Sequence, residues 1–278
     1  MMKEVTVGKI KIGGGNPLAL IAGPCVIEGL DVVLRIGEKI KKVTDKLGIG
    51  FIFKSSYTKD NRSSAESYQG TGVEKGIEIL QKVKDEFGCP VLSDVHSAEE
   101  VNIAKDVVDV IQIPAFMSMQ TSLTLAAGKT GNVINVKKGQ FLHPLDMINV
   151  IKKLELTGNE NILLTERGST FGYRTLVSDM RSLPWMRSLG YPVVFDPTHT
   201  IRNYGISSSD KKGGNPELIE PVARAGIAAG CDAVFIETHD RLDEAKCDAA
   251  SMLPFEKFES LLTTLMEIDK IVRPSLDQ

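Results

Sequence analysis

The sequence predicts an α/β fold: a single-domain TIM (β/α)8 barrel with an N-terminal β-hairpin. Three observations predict it. Short β-rich runs recur eight times along 278 residues. Several are unbroken Val, Ile, Leu and Phe without polar alternation, the pattern of parallel strands covered on both faces. Helix-period segments separate them, at about 35 residues per unit, which is barrel arithmetic.

The predicted strands are 18–22, 51–54, 91–94, 109–113, 133–136, 162–165, 193–196 and 233–237. Helical spacing marks 32–47, 73–87 and 218–229 between them. A helix over 176–187 is expected from Leu176, Met180 and Leu183. A final helix, 255–272, follows Pro254, a good first-turn residue. The first dozen residues read differently. Val5, Val7, Ile10 and Ile12, with Gly8 and Gly13-Gly14-Gly15, suggest a small hairpin that caps the barrel bottom. The division is then a hairpin cap over 1–16 and a barrel over 17–278. A doubly wound open sheet is the rival. It would usually show a glycine-rich phosphate turn after its first strand; here that turn is Gly23-Pro24-Cys25.

Composition bounds the function classes. With 33 basic and 36 acidic residues the net charge is −3, unlike the basic surface of a nucleic-acid binder. No run of ~18 apolar residues suggests a membrane span, and 1–5 lacks the apolar core of a signal peptide. Four cysteines are too few for a disulfide scaffold, so a reducing cytoplasm is the default location.

In a barrel, the C-terminal strand ends build the active site. Here those ends deliver Cys25, Lys54, Lys59, Asn61, Arg62, Ser63, Asp94, His96, Gln112, Asn135, Lys137, Lys138, Gln140, Glu166, Arg167, Asp196, His199, Glu237 and His239, with Asp248 in the last loop. One such group means nothing; a ring of them is a binding site. Lys54, Lys59, Arg62, Lys137 and Arg167 form a cationic subset whose natural ligands are phosphate and carboxylate. The bland alternative is five solvated surface cations. A second subset is Cys25, His199, Glu237 and Asp248. Its S, N and O donors suit a borderline divalent metal such as Zn²⁺, Fe²⁺, Co²⁺ or Mn²⁺. By spacing alone this signal is weak, and Cys25 is more often a small core residue.

Cys89 and Cys231 read as structural. Cys247 adjoins Asp248 but points the other way if that segment is extended. His143 fits either role. Trp185 reads as packing, and Arg181 and Arg187 as solvated charges or subunit contacts. The 202–216 segment, rich in Ser, Gly, Asp and Lys, is the longest expected mobile loop.

These motifs resemble a known family. Ala22-Gly23-Pro24-Cys25 with Ile27-Glu28 resembles the opening of the phosphoenolpyruvate-condensing sugar synthases. These make 3-deoxy-D-manno-octulosonate 8-phosphate (KDO8P) or 3-deoxy-D-arabino-heptulosonate 7-phosphate (DAHP). Lys59-Asp60-Asn61-Arg62-Ser63-Ser64 is similar to the Lys-Ala-Asn-Arg-Ser-Ser loop of the KDO8P branch. Ser93-Asp94-Val95-His96, Gln112-Ile113-Pro114-Ala115-Phe116, Asn135-Val136-Lys137-Lys138-Gly139-Gln140-Phe141, Thr165-Glu166-Arg167-Gly168, Phe171-Gly172-Tyr173, Asp196-Pro197-Thr198-His199, Glu237-Thr238-His239 and Cys247-Asp248 follow in order. The resemblance spans about residues 19–254.

The resemblance implies condensation of phosphoenolpyruvate with D-arabinose 5-phosphate by a homotetrameric barrel. Lys59, Lys137 and Arg167 would take phosphoenolpyruvate, with the Ala115 backbone and Gln112 nearby. Asn61, Arg62 and Ser63 would hold the sugar phosphate. Lys54, Asp94, Phe116 and Gln140 complete the expected substrate contacts. Cys25 resembles the metal-dependent class, with His199, Glu237 and Asp248 as fellow ligands. Catalytic roles fall to Lys59, Lys137, His199 and Asp248. There are departures. Met119 stands where the family commonly has an Arg that reaches the neighbouring subunit's sugar phosphate. Gln120-Thr121-Ser122 replaces Gln-Thr-Asp, Asp60 replaces Ala, and Pro197 is also seen in the DAHP branch. The same chemistry on erythrose 4-phosphate, or a non-catalytic phosphosugar-binding barrel, remains an alternative.

Overall fold

The structure is a computed structural model that describes residues 2–60, 66–171, 173–206 and 210–276. Eight parallel strands form its centre: β3 (Ala19–Gly23), β4 (Phe51–Lys54), β5 (Val91–Asp94), β6 (Val110–Ile113), β7 (Val133–Lys137), β8 (Ile162–Glu166), β11 (Val193–Phe195) and β12 (Ala233–His239). Each pairs with the next, β12 pairs with β3, and the sheet closes into a barrel. The open doubly wound sheet is thereby excluded. All eight predicted strands form, each end within two residues of its expected place.

Helices α1 (Leu30–Leu47), α2 (Val73–Phe87), α3 (Ala98–Ala104), α4 (Thr121–Gly128), α5 (Met147–Glu155), α6 (Ser182–Arg187), α7 (Pro197–Thr200), α8 (Ile219–Ala229) and α9 (Phe258–Leu276) fill the connections. The expected helix over 176–187 is a correction. Leu176–Val177 instead forms β10, antiparallel to β9 (Ser169–Thr170). The helix waits for Asp179, whose carboxylate accepts from Arg181 N–H and whose carbonyl accepts from Ser182 N–H. A side chain that offers the backbone a local turn competes with the helix. The last helix also begins later than expected, after a 3₁₀ turn at Phe255–Lys257.

Strand parity then sorts the residues. Side chains at i and i+2 share a face. Ile52 and Lys54 share one, as do Leu92 and Asp94, Val110 and Gln112, Val133 and Asn135 with Lys137, and Ala233 and Phe235 with Glu237. The apolar member nearer each strand's start belongs to one buried inner cluster, which Val5, Val7 and Ile12 of the hairpin join. That hairpin is β1 (Glu4–Val7) against β2 (Ile10–Gly13). Opposite-parity residues such as Phe51, Phe53, Ile111, Ile113, Val234 and Ile236 pack in the larger cluster with the helices. Most of these strands are therefore apolar toward the helices, apolar at the inner floor, and polar where the C-terminal end enters the interior.

Arg187 is a second correction. It is neither solvated nor peripheral: it is buried and bonded to Asp232, which also accepts from Arg273 at 3.0 Å and from Val193 N–H at 2.9 Å. Asp269 holds Arg273 at 2.5 Å and accepts from Leu18 N–H at 3.1 Å. This buried network ties α6 and α9 to the starts of β11 and β3. Buried cations need such partners because desolvation is otherwise uncompensated.

Candidate active site

The polar ends meet one another above the apolar floor. Gln112 accepts from Asn135 Nδ2 at 3.1 Å, and Asn135 accepts from the Thr165 hydroxyl at 2.6 Å. Phe235 is the platform above the floor: Lys137 Nζ lies 3.8 Å from its ring centre and Lys54 Nζ lies 5.4 Å away. Two glycines allow the strand ends to come this close. A Cβ on Gly23 would sit 1.9 Å from the Lys54 carbonyl oxygen. Gly168, at φ +94°, turns the chain after Arg167 where a Cβ would strike Thr200.

Three of the predicted lysines gather on two carboxylates, and Arg167 stands apart from them. Lys54 Nζ donates to Glu237 Oε1 at 2.7 Å and to the Cys25 carbonyl at 3.2 Å. Lys59 Nζ is 3.9 Å from the same Glu237 oxygen. Lys137 Nζ meets Asp196 Oδ2 at 2.5 Å. Arg167 differs. It is buried, yet its Nε and Nη1 find no hydrogen-bond partner among the described residues. Its guanidinium carbon lies 5.7 Å from the Tyr204 ring centre. Gln140 donates to Tyr204 Oη at 2.5 Å while its own Oε1 has no partner among the described residues. Phe116, half exposed, packs edge-on to Tyr204 at 6.1 Å, and Ala115 is buried beside it in the chain. Buried N–H groups without partners mark a place for an anion. Asn61, Arg62 and Ser63 lie outside the described residues.

The electrostatics follow from burial and pairing. Burial works to lower the Lys54 ammonium, but Glu237 and Asp94 outweigh it and raise it. Burial also lowers Lys137, which Lys54 repels, and Asp196 only partly restores it. Burial would raise Glu237, but Lys54, His199 and the other lysines hold it well below the carboxylate range. Asp94 is likewise held far down by Lys59, His96 and Lys54 against burial. Asp94 also accepts from Ser56 and lies 3.4 Å from His96 Nε2. The other face of His96 meets Glu100 at 3.2 Å. Burial would lower this imidazole, but its two carboxylate partners raise it to about 10.

The expected metal donors also converge. His199 Nε2 is 3.6 Å from Glu237 Oε2, and Cys25 Sγ is 3.4 Å from Asp248 Oδ2. His199, Glu237 and Asp248 offer donor atoms within 4.8 Å of one another, as do Cys25, Cys247 and Asp248. Asp248 is common to both groups. The donors come from the end of β3, from α7, from β12 and from the last loop, and all are buried or nearly so. Mixed thiolate, imidazole and carboxylate donors suit a borderline divalent ion. His199 is oriented as such a ligand requires. Its Nδ1 faces Asp196 Oδ2 at 2.8 Å, which leaves Nε2 turned to Glu237.

Three residues escaped sequence reasoning in part. Asp196 stands at its expected strand end, where the sequence alone points to no role. It grips both Lys137 and His199 and caps α7 by accepting from His199 N–H at 2.9 Å. Asp followed by Pro at a strand end is a helix-start signal that could have placed it. Arg202, from the long loop, bonds Asp248. Cys247 is a correction: its sulfur lies against Cys25. The extended backbone that would turn it away does not form, because Asp248 adopts φ +51°, the one positive φ at a non-glycine among the described residues. Strain of this kind clusters at functional sites. His143 stacks on Trp185 at 5.5 Å and accepts from Leu145 N–H, outside the cavity. Cys89 and Cys231 are buried away from it, toward the starts of β5 and β12.

Comparison with known proteins agrees with this geometry. The profile of the DAHP synthetase I family matches residues 2–273. The chain belongs to this family. Within it, the chain is 52% identical to a 2-dehydro-3-deoxyphosphooctonate aldolase of Geobacter sp. (strain M21), over 98% of this chain and 99% of that protein. Proteins of the same name from Citrifermentans bemidjiense and Trichlorobacter lovleyi are 51% and 50% identical, again over 98% of this chain and at least 99% of theirs. Like these family members, the chain is an enzyme. Among its described residues, no helix is long and apolar enough to cross a membrane.

Proposed function

We propose that this enzyme condenses phosphoenolpyruvate with D-arabinose 5-phosphate and water, giving KDO8P and inorganic phosphate. The observation that carries the reading is Arg167, a buried fork at a C-terminal strand end whose Nε and Nη1 have no partner among the described residues. Phosphate and carboxylate are the ligands for such groups. The relatives' shared name favours arabinose 5-phosphate over erythrose 4-phosphate as acceptor.

The chemistry divides among these residues. Arg167, Lys137 and Lys59 offset the charge of phosphoenolpyruvate and fix its enol carbon toward the aldehyde. Holding two reactants in line contributes several kcal/mol. That carbon attacks the aldehyde, water adds at the phosphate-bearing carbon, and phosphate leaves. Asp94, its charge secured by His96, accepts hydroxyls of the open-chain sugar, and Asn61, Arg62 and Ser63 take its phosphate. Phe116 and Gln140 border the phosphoenolpyruvate end. Gln112 anchors the floor below, and Lys54 keeps Glu237 ionised. Cys25, His199, Glu237 and Asp248 would hold one divalent ion. When bound, the ion supplies a Lewis acid that polarises the aldehyde or acidifies water. His199, held by Asp196, is placed to carry a proton at Nε2.

A homotetramer completes the reading. Exposed Phe116, Phe141, Phe171 and Tyr173 all follow C-terminal strand ends, and this apolar rim supports subunit contact there. The small cysteine complement supports a reducing, cytoplasmic location. The test is to mix both substrates with metal-replete and chelator-treated enzyme. The reading expects phosphate release that stops on complete metal removal and returns with zinc or manganese. Full activity without metal would remove the ion from the account.

A further inference from the structure

Cys247 has no part in the proposed chemistry, yet its sulfur touches the sulfur of Cys25. The two Cα atoms are 6.2 Å apart. A disulfide spans such a distance without backbone movement. Residues 222 positions apart are brought together by two local features. One is the turn after β3. The other is the left-handed backbone at Asp248, which rotates the preceding side chain inward. The pair sits in its own small apolar cluster with Val26 and Met252, bordered by Tyr68, Leu242 and Ala245. Both cysteines are 1% exposed, so only a small oxidant reaches them. The remaining cysteines, Cys89 and Cys231, are unpaired thiols elsewhere and serve as internal controls.

We propose that Cys25 and Cys247 are an oxidative modification site in which a disulfide and the divalent ion compete for Cys25. The metal half of this statement rests on the function proposed above; the disulfide half does not. The oxidant is a hydroperoxide. One thiolate attacks its O–O bond, forming a sulfenic acid and releasing the alcohol, or water from hydrogen peroxide. The second thiolate attacks the sulfenic sulfur. The S–S bond forms, the S–O bond breaks, and water leaves. Two thiols lose two electrons and two protons, and the peroxide bond gains them. Cys25 then has no thiolate to offer, since only the thiolate is a metal ligand. Asp248, whose Oδ2 lies 3.4 Å from Cys25 Sγ, loses its sulfur partner in the donor set. A thiol reductant reverses the change.

The test uses the full-length protein, reduced and freed of metal, with and without added zinc, then treated with hydrogen peroxide. Alkylation of the denatured protein counts its thiols, peptide mapping locates the bond, and elemental analysis measures zinc. The expected loss is from four free thiols to two, with a linked peptide pair containing residues 25 and 247, restored by dithiothreitol. Zinc bound beforehand slows the loss, and oxidised protein takes up no zinc. Cys247→Ser yields no internal disulfide. Retention of four thiols, or loss confined to Cys89 and Cys231, would overturn the modification site. A disulfide that forms equally fast with zinc present, in protein that still takes up zinc, would overturn the competition and Cys25 as a ligand. Failure of the condensation reading would instead show as no phosphate release from the reduced, zinc-loaded protein.

Discussion

Arg167→Met separates binding from folding. The side chain is 5% exposed and leaves Nε and Nη1 without partners among the described residues. In the free enzyme each such buried donor costs about 1–3 kcal/mol. When an anion arrives, two charge-assisted bonds form, each worth about 1.5–3 kcal/mol. Methionine fills similar space and makes neither bond. The loss of about 3–6 kcal/mol corresponds to roughly 10²–10⁴ in kcat/KM. Arg167→Lys keeps the charge and loses the fork, so its effect should be smaller, roughly 10–100-fold. Stability should move the other way. Removing unpaired donors relieves more than is lost with the Tyr204 contact, worth about 0.5–1 kcal/mol. The midpoint in urea should therefore hold or rise. The assays are initial rates of phosphoenolpyruvate consumption and urea unfolding with and without phosphoenolpyruvate, which should stabilise only the native protein. A variant within about threefold of native kcat/KM would refute the reasoning, as would a stability loss above about 2 kcal/mol.

Asp196→Asn should lower zinc affinity or activity by roughly 10–100-fold, since it loosens both His199 and Lys137; zinc titration followed by steady-state rates checks this. Asp232→Ala removes the buried carboxylate shared by Arg187 and Arg273, leaving Arg273 to Asp269, and should cost about 3–5 kcal/mol in urea unfolding, with little change in KM for the surviving enzyme. His96 gives a pH dependence. Burial opposes its protonation, yet Asp94 and Glu100 raise it to about 10 from an ordinary 6.5. A raised folded value means its contribution is full below the unfolded pKa of about 6.5 and fades as pH rises through about 10. The upper bound is roughly 4–5 kcal/mol. Urea midpoints at intervals from pH 6 to pH 10.5 should fall for the native protein and fall less for His96→Gln (pH settings chosen to span about 6.5–10). Equal slopes would remove His96 as the cause.

The barrel was legible because parallel strands leave unbroken apolar runs, and the site was legible because strand ends are fixed once the strands are. Lys54, Asp94, Gln112 and Glu237 each lie two residues beyond an inward apolar side chain, and Lys137 lies four beyond Val133, so parity alone aims them inward. What the sequence hid depended on distant partners or unusual backbone. Arg187 reads as a surface cation until Asp232, 45 residues away, is brought to it. Cys247 turns inward only because Asp248 takes a left-handed conformation that no local pattern demands. Leu176 matched a helical period, but three coincident positions could not outweigh the turn at Asp179.

The acceptor sugar separates the KDO8P branch from the DAHP branch. The most direct measurement supplies phosphoenolpyruvate with either D-arabinose 5-phosphate or erythrose 4-phosphate to metal-replete enzyme, and compares kcat/KM for phosphate release with the mass of each product. KDO8P should form from arabinose 5-phosphate, favoured by at least about tenfold, a gap of roughly 1.4 kcal/mol in transition-state binding. Preference for erythrose 4-phosphate, or no phosphate release with arabinose 5-phosphate, would contradict it.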